Sequence, residues 1–220
     1  MSTSLYFSFG LVALFLGAFA TWRFSSRHQS LPCPTWLGWL VELDNPVFRN
    51  NSARAITQQL DLQPGMKVLD FGCGPGRLTI PVAKQIGLQG EVTAYDVQPG
   101  MLERTHAKAQ AAQLNNIRYL QASAKASQLC CDKFDCALLV TVLGEIPDRA
   151  ATLREIFDAL KPGGVLSITE VIADPHFQRL STVRQLAASI GFTERACFGH
   201  RLSYTLHFEK PLNLAEVESA

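Results

Sequence analysis

Val68-Leu69-Asp70-Phe71-Gly72-Cys73-Gly74-Pro75-Gly76-Arg77-Leu78-Thr79-Ile80 is the stretch that decides the fold. A short apolar run ends in an acid, three glycines follow at alternate positions, and an apolar helical spacing resumes. That is the order of a buried strand, a tight turn and a helix N-terminus. Gly72, Gly74 and Gly76 lack a Cβ, so a ligand can lie against the backbone there. Asp70, at the strand's C-terminal end, can accept a hydrogen bond from a hydroxyl or an ammonium. A nucleotide-like ligand over this turn is the first expectation.

Downstream, strand and helix patterns alternate. Lys67–Phe71 reads as the first strand and residues 77–86 as its helix. Glu91–Asp96 is the second strand, residues 99–113 the next helix, and Ile117–Gln121 a third, shorter strand. Residues 134–141 form an unbroken apolar run, of the kind buried on both faces. Residues 148–160 place Leu153, Ile156, Phe157 and Leu160 on one helical side, and Lys161-Pro162-Gly163-Gly164 reads as its stop. Residues 165–169 are a further strand, 179–190 a helix, and 192–198 and 203–208 two closing strands around Gly199-His200-Arg201. Strands separated by helices imply right-handed crossovers and a parallel sheet with helices on both faces. The last two strands, joined by a tight turn, must be antiparallel. The expected fold class is α/β, a doubly wound Rossmann-like sheet closed by an antiparallel hairpin.

Composition narrows the partners. The 220 residues, 47% hydrophobic, suit one α/β domain with an extra segment. Lys and Arg number 20 against 19 Asp and Glu, a net +1 that creates no long-range attraction for polyanions. No basic run is interleaved with aromatics, so nucleic acid is not an expected partner. The six cysteines, Cys130-Cys131 adjacent among them, lack the paired spacing of a zinc site. No metal is expected, and free thiols in a reducing compartment are preferred to disulfides.

The N-terminus differs in kind. Residues 5–22 carry no charge, and that run of 18 is at the short end of what spans a bilayer. Arg23, Arg27 and His28 follow, with no Lys or Arg before it. The positive-inside rule then places the N-terminus outside and the remaining chain in the cytoplasm. A transmembrane anchor is the preferred reading. A secretory signal ending near Ala18-Phe19-Ala20 and a helix packed on the domain are the alternatives. In residues 31–46, Trp36, Trp39, Leu40 and Leu43 share one helical face, suited equally to the headgroup interface or to the domain core. Asn50, Asn51 and Ser52 supply a break and a cap for a helix reaching about Leu60. The resulting organisation is an anchor with basic flank at 1–28 and a connecting helical segment at 29–60, a potential substrate lid. A catalytic domain at 61–210 and a tail at 211–220 complete it.

In an open parallel sheet the ligand sits beyond the C-terminal strand ends, near the switch point. Asp70 and the glycine turn come there from the first strand, and Asp96 from the second, where a carboxylate can take both hydroxyls of a ribose. Ser123 and Ala124 follow the third strand, and Thr141 to Glu145 the fourth. The run from Val68 to Val82 resembles the first motif of the class I S-adenosylmethionine-dependent methyltransferases. Tyr95-Asp96-Val97 with Met101 resembles their second, and Phe134-Asp135-Cys136 through Ile146-Pro147-Asp148 their fourth. Leu160-Lys161-Pro162-Gly163-Gly164 resembles the turn before their fifth strand. The subgroup holding the ubiquinone/menaquinone and phospholipid methyltransferases is the nearest in pattern.

The resemblance implies a seven-stranded sheet in the order 3-2-1-4-5-7-6 and S-adenosylmethionine as cofactor. Gly72, Cys73, Gly74 and Gly76 would pass under its methionine part, Asp70 would face its amino group, and Asp96 would bind its ribose. Val97 and Met101 would lie beside the adenine, with Ser123, Ala124 and Thr141 completing the binding set. Ser123 stands where the family usually has Asp, although a hydroxyl can still meet the adenine amino group. The spacing Gly72-x-Gly74-x-Gly76 departs from the G-x-G-x-x-G of nicotinamide enzymes.

Methyl transfer from a sulfonium needs alignment and exclusion of water more than it needs a catalytic side chain. A base is required only when the nucleophile arrives protonated. Glu145 and His176 are the candidates, set against plainer roles: Glu145 as a solvated loop carboxylate or a helix-capping partner, His176 as a solvent-facing loop histidine. Cys73 reads as a small turn residue rather than a nucleophile, and His106 and His200 as surface groups. The anchor favours a small lipophilic acceptor at a membrane, such as a quinone precursor or phospholipid. No Asn-Pro-Pro-Tyr-like tetrapeptide follows the fourth strand, against DNA base methylation. The alternative of another class is a catalytically silent cofactor-binding partner of a membrane complex.

Overall fold

The computed structural model of the chain describes Gly10, Gly17, residues 51–122 and residues 129–212. The expected anchor, Gly10 and Gly17 apart, the tryptophan-bearing segment 31–46, Ser123 and Ala124, and the tail from 213 lie outside the described residues. Among the described residues, no helix is long and apolar enough to cross a membrane.

The elements run α1 (Ala53–Gln59), β1 (Lys67–Phe71), α2 (Thr79–Ile86), β2 (Glu91–Asp96), α3 (Pro99–Ala111), β3 (Ile117–Gln121) and β4 (Phe134–Val140). A 3-10 turn (Leu143–Glu145), α4 (Arg149–Ala159), β5 (Leu160–Val171), α5 (Leu180–Ile190), β6 (Thr193–His200) and β7 (Ser203–Glu209) follow. The strands form one sheet in the order β3-β2-β1-β4-β5-β7-β6. β1 to β5 pair in parallel, while β7 lies antiparallel to both β5 and β6. The order changes direction beside β1, where β2 lies on one side and β4 on the other. The C-terminal ends of β1 and β4 therefore open a crevice at the switch point.

Local chemistry explains where the helices start and stop. The Ser52 hydroxyl caps α1 by accepting the Ala55 N–H at 3.2 Å, and Asp148 caps α4 by accepting the Ala151 N–H at 2.9 Å. Pro99 opens α3, and Gly191 ends α5 in the left-handed region at φ 116°. Period-two alternation sends successive side chains to opposite faces. Val68, Val92 and Leu138 pack with Ile56, Val82 and Ile86 of α1 and α2. Leu69, Leu139, Ile168 and Leu206 pack with Leu153, Ile156 and Val183 of α4 and α5. The end of the connecting segment thus contributes to the core through Ile56 of α1 and Leu60, joined by Leu62 just beyond it.

One element differs in extent from the sequence reading. β5 begins at Leu160, so Lys161-Pro162-Gly163-Gly164 does not separate α4 from the strand. Leu160 pairs with Phe134 across a register shift, and the chain after β7 ladders onto the glycines. The Gly163 N–H donates to Lys210 O at 2.8 Å, and the Lys210 N–H to Gly164 O at 2.9 Å. Gly163, at φ 77°, lets the strand bend without losing these bonds.

Candidate functional site

The glycine turn hangs from the end of β2. The Gly72 and Cys73 N–H groups both donate to Tyr95 O, at 2.7 and 3.1 Å, and the Phe71 and Tyr95 rings stack with centroids 4.6 Å apart. Gly72 has φ 73°, and a Cβ there would stand 2.5 Å from Val142 Cγ2. Gly74 has φ 52°, and a Cβ there would meet nothing within 4 Å. The first glycine lets the turn pack on the loop after β4, whereas the second faces open space. From the other side α3 pins the turn: the Thr105 hydroxyl donates to Gly74 O at 2.9 Å and Lys108 Nζ to Pro75 O at 2.8 Å.

Two carboxylates frame it. Asp96 is 7% exposed; its Oδ2 accepts the Gly74 N–H and its Oδ1 the Gln98 N–H, both at 2.9 Å. Burial raises the Asp96 carboxyl, and these backbone bonds counter it. A carboxylate has about four acceptor positions, so Asp96 can still receive a hydroxyl beside its backbone bonds. Asp70 is 3% exposed and accepts the Thr79 hydroxyl at 2.6 Å through Oδ2. Burial, with the Asp96 charge adding to it, pushes the Asp70 carboxyl up to about 6. An ammonium beside it would favour the ionised form.

Asp70, Gly72, Cys73, Gly74 and Thr141 line one cleft together with Arg77, Leu78 and Val140. Thr141, a β-branched residue at φ 55°, is held there by its N–H bond to Thr169 O at 2.9 Å. Strain of about 1–3 kcal/mol at such a residue is characteristic of functional sites. Asp96 joins the cleft through Gly74. Val97 is 55% exposed next to Asp96, an apolar surface of the kind a base can cover, while Met101 is buried at the start of α3. Gly76 packs against Thr105, where a Cβ would stand 2.9 Å from Cγ2. Open space over Gly74, a carboxylate able to receive a hydroxyl and a second one receptive to an ammonium fit the adenosyl and methionine parts of S-adenosylmethionine.

Several cleft features were not legible in the sequence. Thr79 and Thr105 act through hydroxyl contacts made only in three dimensions, and Arg77 is tied to Asn51 O at 2.7 Å. Val140 and Leu78 carry no signal beyond apolarity. His176 corrects the expectation of a solvent-facing loop histidine. It is 6% exposed because Gly144 of the 3-10 turn packs directly on its backbone. His106 and His200 are exposed, as expected, and His106 meets the Tyr119 ring edge-on at 5.2 Å. Cys73 is buried and its thiol is pushed up by burial and the neighbouring Asp70, consistent with a turn residue.

Residues 68–164 match the family described as "Methyltransferase domain". The ubiquinone/menaquinone biosynthesis C-methyltransferase UbiE of Shewanella sp. (strain W3-18-1) is 36% identical over 115 residues, covering 52% of this chain and 46% of that protein. The chain therefore spans about half the length of the curated relatives it matches. Among solved structures, an S-adenosylmethionine-dependent methyltransferase from Aquifex aeolicus has a TM-score of 0.71 at 19% identity, covering 81% of this chain and 99% of that one. The [4+2]-cyclase SpnF has a TM-score of 0.64 at 17% identity, covering 73% and 80%. These structural likenesses carry the fold. It is that of the S-adenosylmethionine-dependent methyltransferases.

Proposed function

We propose that this chain is a membrane-held methyltransferase that moves the methyl group of S-adenosylmethionine to a small lipophilic acceptor, such as a quinone precursor or a phospholipid. The observation that carries the reading is the glycine turn clamped by Asp96 at the sheet's switch point. Asp96 would hold the ribose through its remaining acceptor positions, and Asp70 would face the amino group. Val97 would lie along the adenine, and the glycines would let the backbone approach the methionine part. Bound there, S-adenosylmethionine supplies an electrophilic methyl group on a good leaving group. The chain's own work is alignment of the acceptor and exclusion of water, which Thr141, Val140 and Leu78 provide as cleft walls.

The acceptor class rests on two supports. The Shewanella relative is named as a C-methyltransferase of ubiquinone/menaquinone biosynthesis. Residues 5–22 followed by Arg23 and Arg27 have the make-up of a single membrane span with the catalytic domain on the cytoplasmic side. Tethering concentrates an enzyme where lipophilic acceptors partition. Labelled-methyl transfer to a whole-cell extract, followed by product identification, tests the activity; a label confined to water-soluble products would contradict the acceptor class. Release of the protein from membranes by carbonate would contradict the span. The same fold serves a protein named as a [4+2]-cyclase, so the fold alone does not establish methyl transfer, and a catalytically silent cofactor-binding partner of a membrane complex is the alternative. Cofactor binding without transfer to lipid, quinone or thiol acceptors would favour it.

A further inference from the structure

The β5–β7 half of the sheet carries a polar stripe on one face. The two strands pair antiparallel, with Ser167 opposite His207, Thr169 opposite Thr205 and Val171 opposite Ser203. Period two puts these side chains on one face, while Leu166, Ile168, Tyr204 and Leu206 face α4 and α5 on the other. On the stripe's side of the sheet α2 lies on β2, and α3 on β2 and β3. The apolar cluster under α1 and α2 reaches β5 only at Val165 and, among the described residues, includes none of β7 or β6. Beyond β7, Phe198 of β6 pairs with Thr205 and sets its ring edge-on to His207 at 5.1 Å.

The stripe is nonetheless closed to water. Ser167, Thr169, Ser203, Thr205 and His207 are each 5% exposed or less. Thr169 and Thr205 satisfy each other through hydroxyls 2.9 Å apart. Ser167 Oγ, Ser203 Oγ and His207 Nε2 are buried and have no hydrogen-bond partner among the described residues. Buried groups of this kind are ordinarily paired, so three in one stripe call for donors from outside it. Burial, with the Arg195 charge adding to it, brings the His207 ring down to about 4, so at neutral pH it offers an acceptor nitrogen.

Residues 31–46 have the matching make-up. Trp36, Trp39, Leu40 and Leu43 share one helical face. An indole N–H is a pure donor on an apolar body, which suits a face that mixes unpaired acceptors with Val171 and Phe198. The lengths also agree: a helix rises about 11 Å from Trp36 to Leu43, and a strand about 13 Å from Ser167 to Val171. The segment is delivered to the right side of the sheet. At its end, Asn51 O and Oδ1 accept from Arg77 at 2.7 and 3.3 Å, and α1 directly after it packs on this face through Ile56.

We propose that residues 31–46 dock as a helix on the β5–β7–β6 face, with the indoles of Trp36 and Trp39 donating into the row of Ser167, His207 and Ser203. The segment is then a built-in wall of the domain rather than a helix at the lipid headgroups. Through Asn51 and Arg77, which lines the cleft, it is joined to the proposed cofactor site.

The test uses the full chain carrying Trp22→Phe, which leaves Trp36 and Trp39 as its indoles. It is reconstituted in phosphatidylcholine vesicles with and without bromine on the acyl chains. Tryptophan emission should be the same in both. Emission lowered about twofold or more by the brominated lipid would put the indoles in the membrane interface and overturn the proposal. Diethylpyrocarbonate labelling read by mass spectrometry is the second measurement. In the unaltered chain His207 should react about tenfold or more slowly than the exposed His106 and His200, and in Trp36→Ala/Trp39→Ala about as fast as they do. A His207 still protected in that variant, its fold checked by circular dichroism, would overturn the proposal; if the variant does not fold, the lipid result decides. Protection lost on dilution of the unaltered chain would assign the face to a second copy and overturn it equally.

Discussion

Gly72 and Gly74 sit two residues apart in the same turn, yet alanine should act on them in different ways. At Gly72, with φ 73°, an added Cβ would stand 2.5 and 2.7 Å from the two γ-carbons of Val142. Val142 is β-branched, so its side chain cannot swing clear without moving the loop after β4. The left-handed backbone costs about 1–2 kcal/mol in a residue with a Cβ. Crowding of this kind costs about 1–3 kcal/mol more. The sum, about 2–5 kcal/mol, should lower the melting temperature by about 5–15 °C in a chain of this size. At Gly74, with φ 52° and nothing within 4 Å of the added Cβ, only the backbone term applies. Gly74→Ala should therefore melt about 2–6 °C lower. Its methyl group, however, projects into the open cradle where the cofactor's backbone contact belongs, so affinity for S-adenosylmethionine should drop about tenfold or more. Differential scanning calorimetry and a binding titration on both variants measure the two effects. Equal destabilisation, or undiminished cofactor affinity in Gly74→Ala, would refute the assignment of packing to the first glycine and ligand approach to the second.

Three further outcomes are expected. Asp70 titrates in the folded protein at about 6 against an ordinary 3.8, so between those values the native state holds a proton that the unfolded chain has lost. Stability should fall as pH rises through that window, by about 3 kcal/mol at most, and urea unfolding of Asp70→Asn should show a flatter profile; an unchanged slope would count against it. Asp96→Ala removes the acceptor for the Gly74 and Gln98 N–H groups as well as the proposed ribose contact. Its affinity for S-adenosylmethionine should fall about 100-fold or more by calorimetry, and a variant binding as before would sink the ribose assignment. Cys73 and Cys136 are buried, the latter's thiol pushed up to about 12 by burial, whereas Cys130, Cys131 and Cys197 are exposed. Brief iodoacetamide treatment at pH 8 with mass spectrometry should find label on the exposed three; prior labelling of Cys73 would contradict the closed turn.

Periodicity made the sheet legible. β1, β2 and β3 begin and end where apolar runs meet turn residues, and the tight turn at Gly199-His200-Arg201 already required β6 and β7 to be antiparallel. The early start of β5 was not legible, because Pro162 and two glycines look like a stop. Only the chain after β7, arriving from 50 residues away, supplies the ladder that keeps them extended, with Lys210 Nζ bound to Leu160 O at 2.7 Å. The glycine turn and Asp96 were readable as a ligand site because backbone conformation and a strand-end acid leave local marks. Burial of His176 depends on two loops meeting, which no local pattern records.

The central claim is that the turn from Gly72 to Gly76 and Asp96 build a site for S-adenosylmethionine rather than for a nicotinamide. Parallel calorimetric titrations of the full chain with S-adenosylmethionine and with NADH test it most directly. Saturable one-to-one binding of S-adenosylmethionine, weakened in Asp96→Ala and without a heat of binding for NADH, is the expected result. Binding of NADH, or no binding of S-adenosylmethionine, would contradict it.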